Sequence, residues 1–167
     1  MKKLIVVDTS DKRLEMAKKL GATDVINLTK DNVIEKVAQI AGTVPMRFVP
    51  TVLFPDVDLV YDAVGYVKGS KAPPVIETAL MITKEFARIV VVGAFEAPVT
   101  VDLNPLFSKE VKIFGSFGFE IPGEYMEALA FIREKRSIGM FSSPMRFPSK
   151  RPGRPSRLRR TRGNRLR

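Results

Sequence analysis

Asp8 is the first residue whose type and position could do chemistry. It closes an apolar run, Leu4-Ile5-Val6-Val7, and Thr9-Ser10-Asp11 after it leads into a helix. A carboxylate where a strand runs into a helix is placed to accept hydrogen bonds from the two hydroxyls of a ribose, as at the second strand of a dinucleotide-binding unit. The glycine-rich turn that cradles a pyrophosphate then belongs about 20 residues earlier, whereas only seven residues precede Asp8. The expectation is a chain that starts inside a cofactor domain, after its phosphate loop. Arg13, in the first turn of the following helix, reaches toward the same ribose or the adenine. The plainer alternative is a surface arginine paired with Asp8 or Glu15.

Three further strand ends carry small residues. They are Asp62-Ala63-Val64-Gly65, Val90-Val91-Val92-Gly93-Ala94 and Ile113-Phe114-Gly115-Ser116. A glycine just past a parallel strand lets a backbone come close to a ligand at the carboxyl edge of the sheet. Ala63, Val64, Gly65, Val92, Gly93, Ala94, Ile113 and Phe114 are the resulting candidates. Acid–base pairs built from Glu77 and Glu85, or from Asp56, Asp58 and Asp62, are set aside. These residues are scattered, and none has a partner in a contrasting environment.

The elements that must position these residues alternate. Leu4–Asp8 reads as a strand. A helix capped by Ser10 or Asp11 follows, with Leu14, Ala17 and Leu20 on one face and Gly21 at its end. Asp24–Asn27 is a short strand. Asp31 or Asn32 caps a helix carrying Val33, Ile34, Val37, Ile40 and Ala41 at helical spacing, stopped by Gly42. Thr43–Pro55, with three prolines, reads as irregular. Val57–Val64 reads as a buried strand. Pro73 and Pro74 open a helix with Ile76, Ala79 and Leu80 inward. Arg88–Val92 and Val111–Phe114 are strands with a short helical turn, Pro105–Lys109, between them. Pro122–Arg136 is a helix with Tyr125, Ala128, Leu129 and Ile132 inward. Such alternation predicts a Rossmann-like α/β fold, a parallel sheet with helices on both faces.

Composition limits the chemistry. The 167 residues contain no cysteine and no histidine. Disulfides and thiolate metal sites are thereby excluded, along with the commonest metal ligand and the commonest general base. No apolar run is long enough to span a bilayer, and the run before Asp8 is too short for a signal peptide, so a cytoplasmic protein is expected. The net charge of +10 is unevenly placed. From Ser137 onward there are ten basic and no acidic residues, and the remaining 136 residues carry eighteen of each sign. The expected organisation is a partial dinucleotide-binding domain over 1–136 and a disordered basic tail over 137–167. Two origins for that tail stay open: coding DNA read out of register, or an arm for nucleic acid or another acidic partner, the second not favoured.

Taken together, Val6-Val7-Asp8, Ala17-Lys18-Lys19-Leu20-Gly21-Ala22-Thr23-Asp24-Val25-Ile26-Asn27, Asp58–Gly65, Arg88–Gly93 and Val111–Ser116 resemble the medium-chain zinc-type alcohol dehydrogenases, the group of sorbitol and threonine dehydrogenases. The likeness runs from Met1 to about Arg136. It implies that Asp8 and Arg13 hold the adenosine ribose of NAD and that Ala63, Val64 and Gly65 line the cofactor cleft. It also implies that backbone groups of Val92, Ala94 and Phe114 meet the nicotinamide carboxamide. An Asp8 carboxylate would repel a 2′-phosphate, which favours NAD over NADP. The family's zinc ligands, chiefly Cys and His, belong to a catalytic domain that has no counterpart here, and its first cofactor strand and glycine-rich turn are also missing. The expectation is a partial NAD site with weak binding, no zinc, no catalytic residue and no turnover. Open sheet edges would favour self-association.

Overall fold

A computed structural model describes residues 3–70, 72–118 and 122–134. The expected disordered tail, 137–167, lies outside the described residues. The first unit is a strand–helix–strand: β1 (Ile5–Asp8), α1 (Asp11–Lys19) and β2 (Asp24–Asn27), with β1 and β2 paired in parallel from Ile5↔Asp24 to Asp8↔Asn27. Gly21 ends α1 at φ +107°, a conformation that a Cβ would strain. Thr23 then fixes the return: its hydroxyl accepts from Leu4 N–H at 2.9 Å and donates to Leu4 C=O at 3.0 Å.

Next comes α2 (Val33–Ala41), whose first amides are capped by the Asn32 side chain, which accepts from Ile34 and Glu35 N–H. The segment expected to be irregular instead forms an antiparallel hairpin, β3 (Thr43–Pro45) and β4 (Leu53–Pro55). Pro45 and Pro55 sit at strand ends, where a ladder loses least by a missing donor, and Pro50 lies in the loop. Arg47 in its loop stacks against Phe48 and Phe86, 4.4 and 4.9 Å from the ring centres, and pairs with Glu110 at 2.7 Å.

A second parallel sheet follows, in the order β5 (Leu59–Asp62), β6 (Arg88–Val91) and β7 (Lys112–Gly115), with α3 (Val75–Ile82) and α4 (Asn104–Ser108) in the connections. Pro74 stands immediately before α3, as its sequence suggests. β5 is shorter than the expected 57–64, and its residues alternate in burial. Val60, Ile89 and Val91 pack with Ala79 and Leu80 of α3 and with Leu106 of α4. The opposite face is open: Tyr61 is 64% and Phe114 47% exposed.

The last helix, α5 (Gly123–Arg133), has no buried residue. The expected inward set of Tyr125, Ala128, Leu129 and Ile132 is thus corrected. Tyr125, Ala128 and Leu129 are exposed and Ile132 is half-buried. The strand that α5 follows, β7, is exposed along its whole length and offers the helix no closed surface.

One apolar cluster joins the two sheets. Ile26, Val37 and Ile82 form its centre, with Ile5 and Val7 of β1, Val60 of β5 and Val57 just before β5 packed on it. Val25, next to Ile26, points to the other side, where it borders Leu14 of α1. α1 and α2 therefore cover opposite faces of the first sheet, as side-chain alternation along a strand requires.

Candidate cofactor site

β1 and β5 both start beside α2. At their starts, the Lys3 ammonium donates to Ile40 C=O, and Asp56 N–H donates to Gly42 C=O at 2.9 Å. Both strands therefore begin at the C-terminal end of α2, and Asp8 and Asp62 close them at the far edge.

At that edge Asp8 is held from two sides. Arg13 grips it with two bonds, Nε to Oδ2 at 2.8 Å and a terminal nitrogen to Oδ1 at 2.7 Å. Ser10 N–H donates to Oδ1 at 2.8 Å. The Arg13 guanidinium, with the Ser10 amide helping, keeps the Asp8 carboxyl below the usual carboxylate range. Asp8 is thus a fixed anion at neutral pH, with lone pairs left for hydroxyl donors. Arg13 is thus paired with Asp8 rather than with Glu15. Behind them, buried Asn27 donates to Asp11 Oδ1 at 2.6 Å and accepts from the Thr29 hydroxyl at 2.7 Å. This clamp sets the start of α1, and so the place from which Arg13 reaches. The sequence reading missed Asn27; a polar residue closing the strand after Val25 and Ile26 was the available signal.

On the second sheet the register sets Asp62, Val91 and Gly115 level with one another. Asp62 is fully buried. Its Oδ1 accepts from Val64 N–H at 3.0 Å and Gly65 N–H at 2.8 Å, and this shapes the Ala63–Gly65 turn. Its main-chain oxygen accepts from Val92 and Gly93 N–H at 2.9 and 2.8 Å. Asp62 Oδ2 is buried with no hydrogen-bond partner among the described residues. Tyr66 N–H donates to Ala94 C=O at 3.0 Å, so the two loops continue side by side past the strand ends.

The structure therefore brings Ala63, Val64 and Gly65 against Val92, Gly93 and Ala94. Ile113 and Phe114 lie on β7, in register with Ile89 and Val90. Asp8 ends β1 of the other sheet, and Arg13 stands on α1. The glycines have a structural reason of their own, since each fills the space in which the other's Cβ would stand.

The sequence reading also missed Lys109. It is 2% exposed, and its ammonium donates to Leu80 C=O and, at 2.7 Å, to Thr83 C=O. It also lies 4.7 Å from the Phe54 ring centre. Burial lowers it to about 8. This is a C-terminal cap on α3 supplied from a distant segment. Lysine is the residue type least expected inside, so the sequence carried no signal for it.

The family model for zinc-binding dehydrogenases matches residues 1–134. The chain belongs to that family. It is 32% identical over 119 residues to L-idonate 5-dehydrogenase of Vitis vinifera, covering 70% of this chain and 28% of the relative. It is 30% identical over 134 residues to sorbitol dehydrogenase of Bombyx mori, covering 78% of this chain and 33% of the relative. The chain thus spans about a third of the length of these relatives. Among solved structures, an alcohol dehydrogenase zinc-binding domain protein from Burkholderia ambifaria matches with TM-score 0.60 at 23% identity, over 80% of this chain and 32% of the other. A short chain alcohol dehydrogenase from E. coli, complexed with the cofactor NADH, matches with TM-score 0.58 at 24% identity, over 81% and 34%. The fold is the Rossmann-like one of this family's NAD-binding domain, as its sequence resemblance implies. Among the described residues, no helix is long and apolar enough to cross a membrane.

Proposed function

We propose that this chain forms the ribose- and nicotinamide-facing part of an NAD site in a zinc-type alcohol or polyol dehydrogenase domain. The parent reaction would be hydride transfer between a secondary alcohol and NAD. The observation that carries the reading is the Asp8 carboxylate, held ionised by Arg13 at the end of β1. Such an anion accepts from the two ribose hydroxyls and repels a 2′-phosphate. On this reading Arg13 shares Asp8 with the ribose, and the loops at Ala63–Gly65 and Val92–Ala94 border the nicotinamide. The bound cofactor supplies the hydride; the chain's own groups bind and orient it.

Zinc does not fit the residues present. The chain has neither Cys nor His, and no group of three or more possible ligands gathers among the described residues. We therefore derive no metal-assisted step, and assign the chain no catalytic residue.

Calorimetry with NADH and NADPH on the intact chain tests the reading. Expected are weak NADH binding, above micromolar, and still weaker NADPH binding. Equal affinity for the two, or an Asp8→Asn variant that binds NADH unchanged, would remove Asp8 from the site. Zinc-dependent oxidation of a secondary alcohol by the purified chain would refute the absence of catalysis.

A further inference from the structure

Val64 and Val92, assigned above to the nicotinamide side of the site, are 63% and 52% exposed, so side-chain packing does not hold their loops. Backbone bonds to one residue do. Asp62 is fully buried, and four amides converge on it. Its Oδ1 accepts from Val64 and Gly65 N–H at 3.0 and 2.8 Å, and its main-chain oxygen accepts from Val92 and Gly93 N–H at 2.9 and 2.8 Å. The first two amides belong to the loop after β5, the other two to the loop after β6. We propose that Asp62 is a positioning residue for the cofactor, fixing both loops as one unit against the nicotinamide half of NAD. The inference rests on the NAD reading and deepens it by naming the residue from which that half of the site hangs.

Three features make the linkage stiff. A carbonyl in a parallel ladder ordinarily takes one amide; that of Asp62 takes two, which uses both lone pairs and draws Gly93 toward β5. Gly65 and Gly93 then lie so close that neither leaves space for a Cβ on the other. Beyond that contact Tyr66 N–H donates to Ala94 C=O at 3.0 Å, Glu96 N–H to Tyr66 C=O at 2.9 Å, and Lys68 N–H to the Glu96 carboxylate at 3.0 Å. Movement of either loop must therefore move the other. Burying a carboxylate destabilises a fold unless its oxygens are bonded, and Oδ2 has no partner among the described residues. Stability alone gives no reason for an acid here; holding two loops that must present main-chain groups to a ligand does.

Amide hydrogen exchange on the intact chain, read residue by residue, tests the linkage, with NADH and ADP-ribose titrations beside it. In the parent chain the Val64, Gly65, Val92 and Gly93 amides should open together, with one opening free energy and one urea dependence. Asp62→Ala removes only the Oδ1 bonds to Val64 and Gly65, yet exchange should quicken at least about tenfold at Val92 and Gly93 as well. NADH affinity should fall about tenfold, toward that of ADP-ribose, which lacks the nicotinamide, while ADP-ribose affinity stays unchanged. A role confined to the β5 turn would quicken Val64 and Gly65 alone, and that outcome overturns the proposal. So does unchanged NADH affinity, or an equal loss for NADH and ADP-ribose. If Asp62→Ala does not fold, the parent chain decides: separate opening of Gly65 and Gly93 sinks the proposal. No NADH uptake by the parent chain sinks the NAD reading and leaves the linked loops; NADH uptake with unlinked loops does the reverse.

Discussion

Gly65 and Gly93 stand backbone to backbone. A Cβ on Gly65 would fall 2.0 Å from Ala94 O, and one on Gly93 would fall 2.1 Å from Gly65 N. No side-chain movement relieves either clash, because both partners are main chain.

Gly65→Ala and Gly93→Ala should therefore each destabilise the chain by about 2–4 kcal/mol, the range of severe backbone and packing defects. Gly21→Ala is the control. Its φ is +107° but its Cβ would meet nothing within 4 Å, so only conformational strain of about 1 kcal/mol is expected. Urea unfolding of the three variants checks the order. If Gly93→Ala costs no more than Gly21→Ala, the close approach is not rigid.

Asp8→Asn should weaken NADH binding about tenfold, the scale of one hydrogen bond to a charged group. Arg13 lowers the Asp8 carboxyl, so the stability Asp8 contributes is present above its unfolded value and is lost as pH falls through the folded one. Arg13→Ala raises the folded value toward the unfolded one. The acid-unfolding midpoint should then move to higher pH, and a pH titration of far-UV circular dichroism reads it directly.

Lys109→Met should cost about 2–4 kcal/mol, because main-chain oxygens at the end of α3 lose their buried donor. The pH dependence carries a second signature. With a folded value of about 8, below the unfolded value of about 10.4, the unfolded chain holds more protons between the two. Stability should therefore rise as pH goes from about 8 to about 10.4, and that limb should be absent in Lys109→Met. A flat profile in the parent chain would show that the carbonyls and the Phe54 ring hold the proton against burial.

Strand–helix alternation was legible because α1, α2 and α3 each repeat apolar residues at helical spacing and carry an end signal that the structure uses: Gly21, Asn32, Gly42 or Pro74. The hairpin at Thr43–Pro55 was not, because its two strands have three residues each and prolines at their ends, too short for any period to appear. The apolar spacing of α5 suggested an inward face, but spacing names a face without saying what covers it. At the site, Asp8 was visible as a carboxylate ending an apolar run. The bond from Asn27 to Asp11 that sets the start of α1 was not, since those residues lie 16 positions apart and meet only once β2 pairs with β1.

The cluster of Ile26, Val37 and Ile82 has a mechanical consequence. Each sheet is stitched internally by main-chain bonds, whereas the joint between the sheets is made largely of apolar side chains around Val37. Apolar contacts have no preferred direction and yield over short distances, while a ladder loaded along its strands must break several bonds together. Under tension applied at the two ends of the described body, the joint under α2 should part first. Each half would then rupture separately, giving two force peaks where a single continuous sheet would give one.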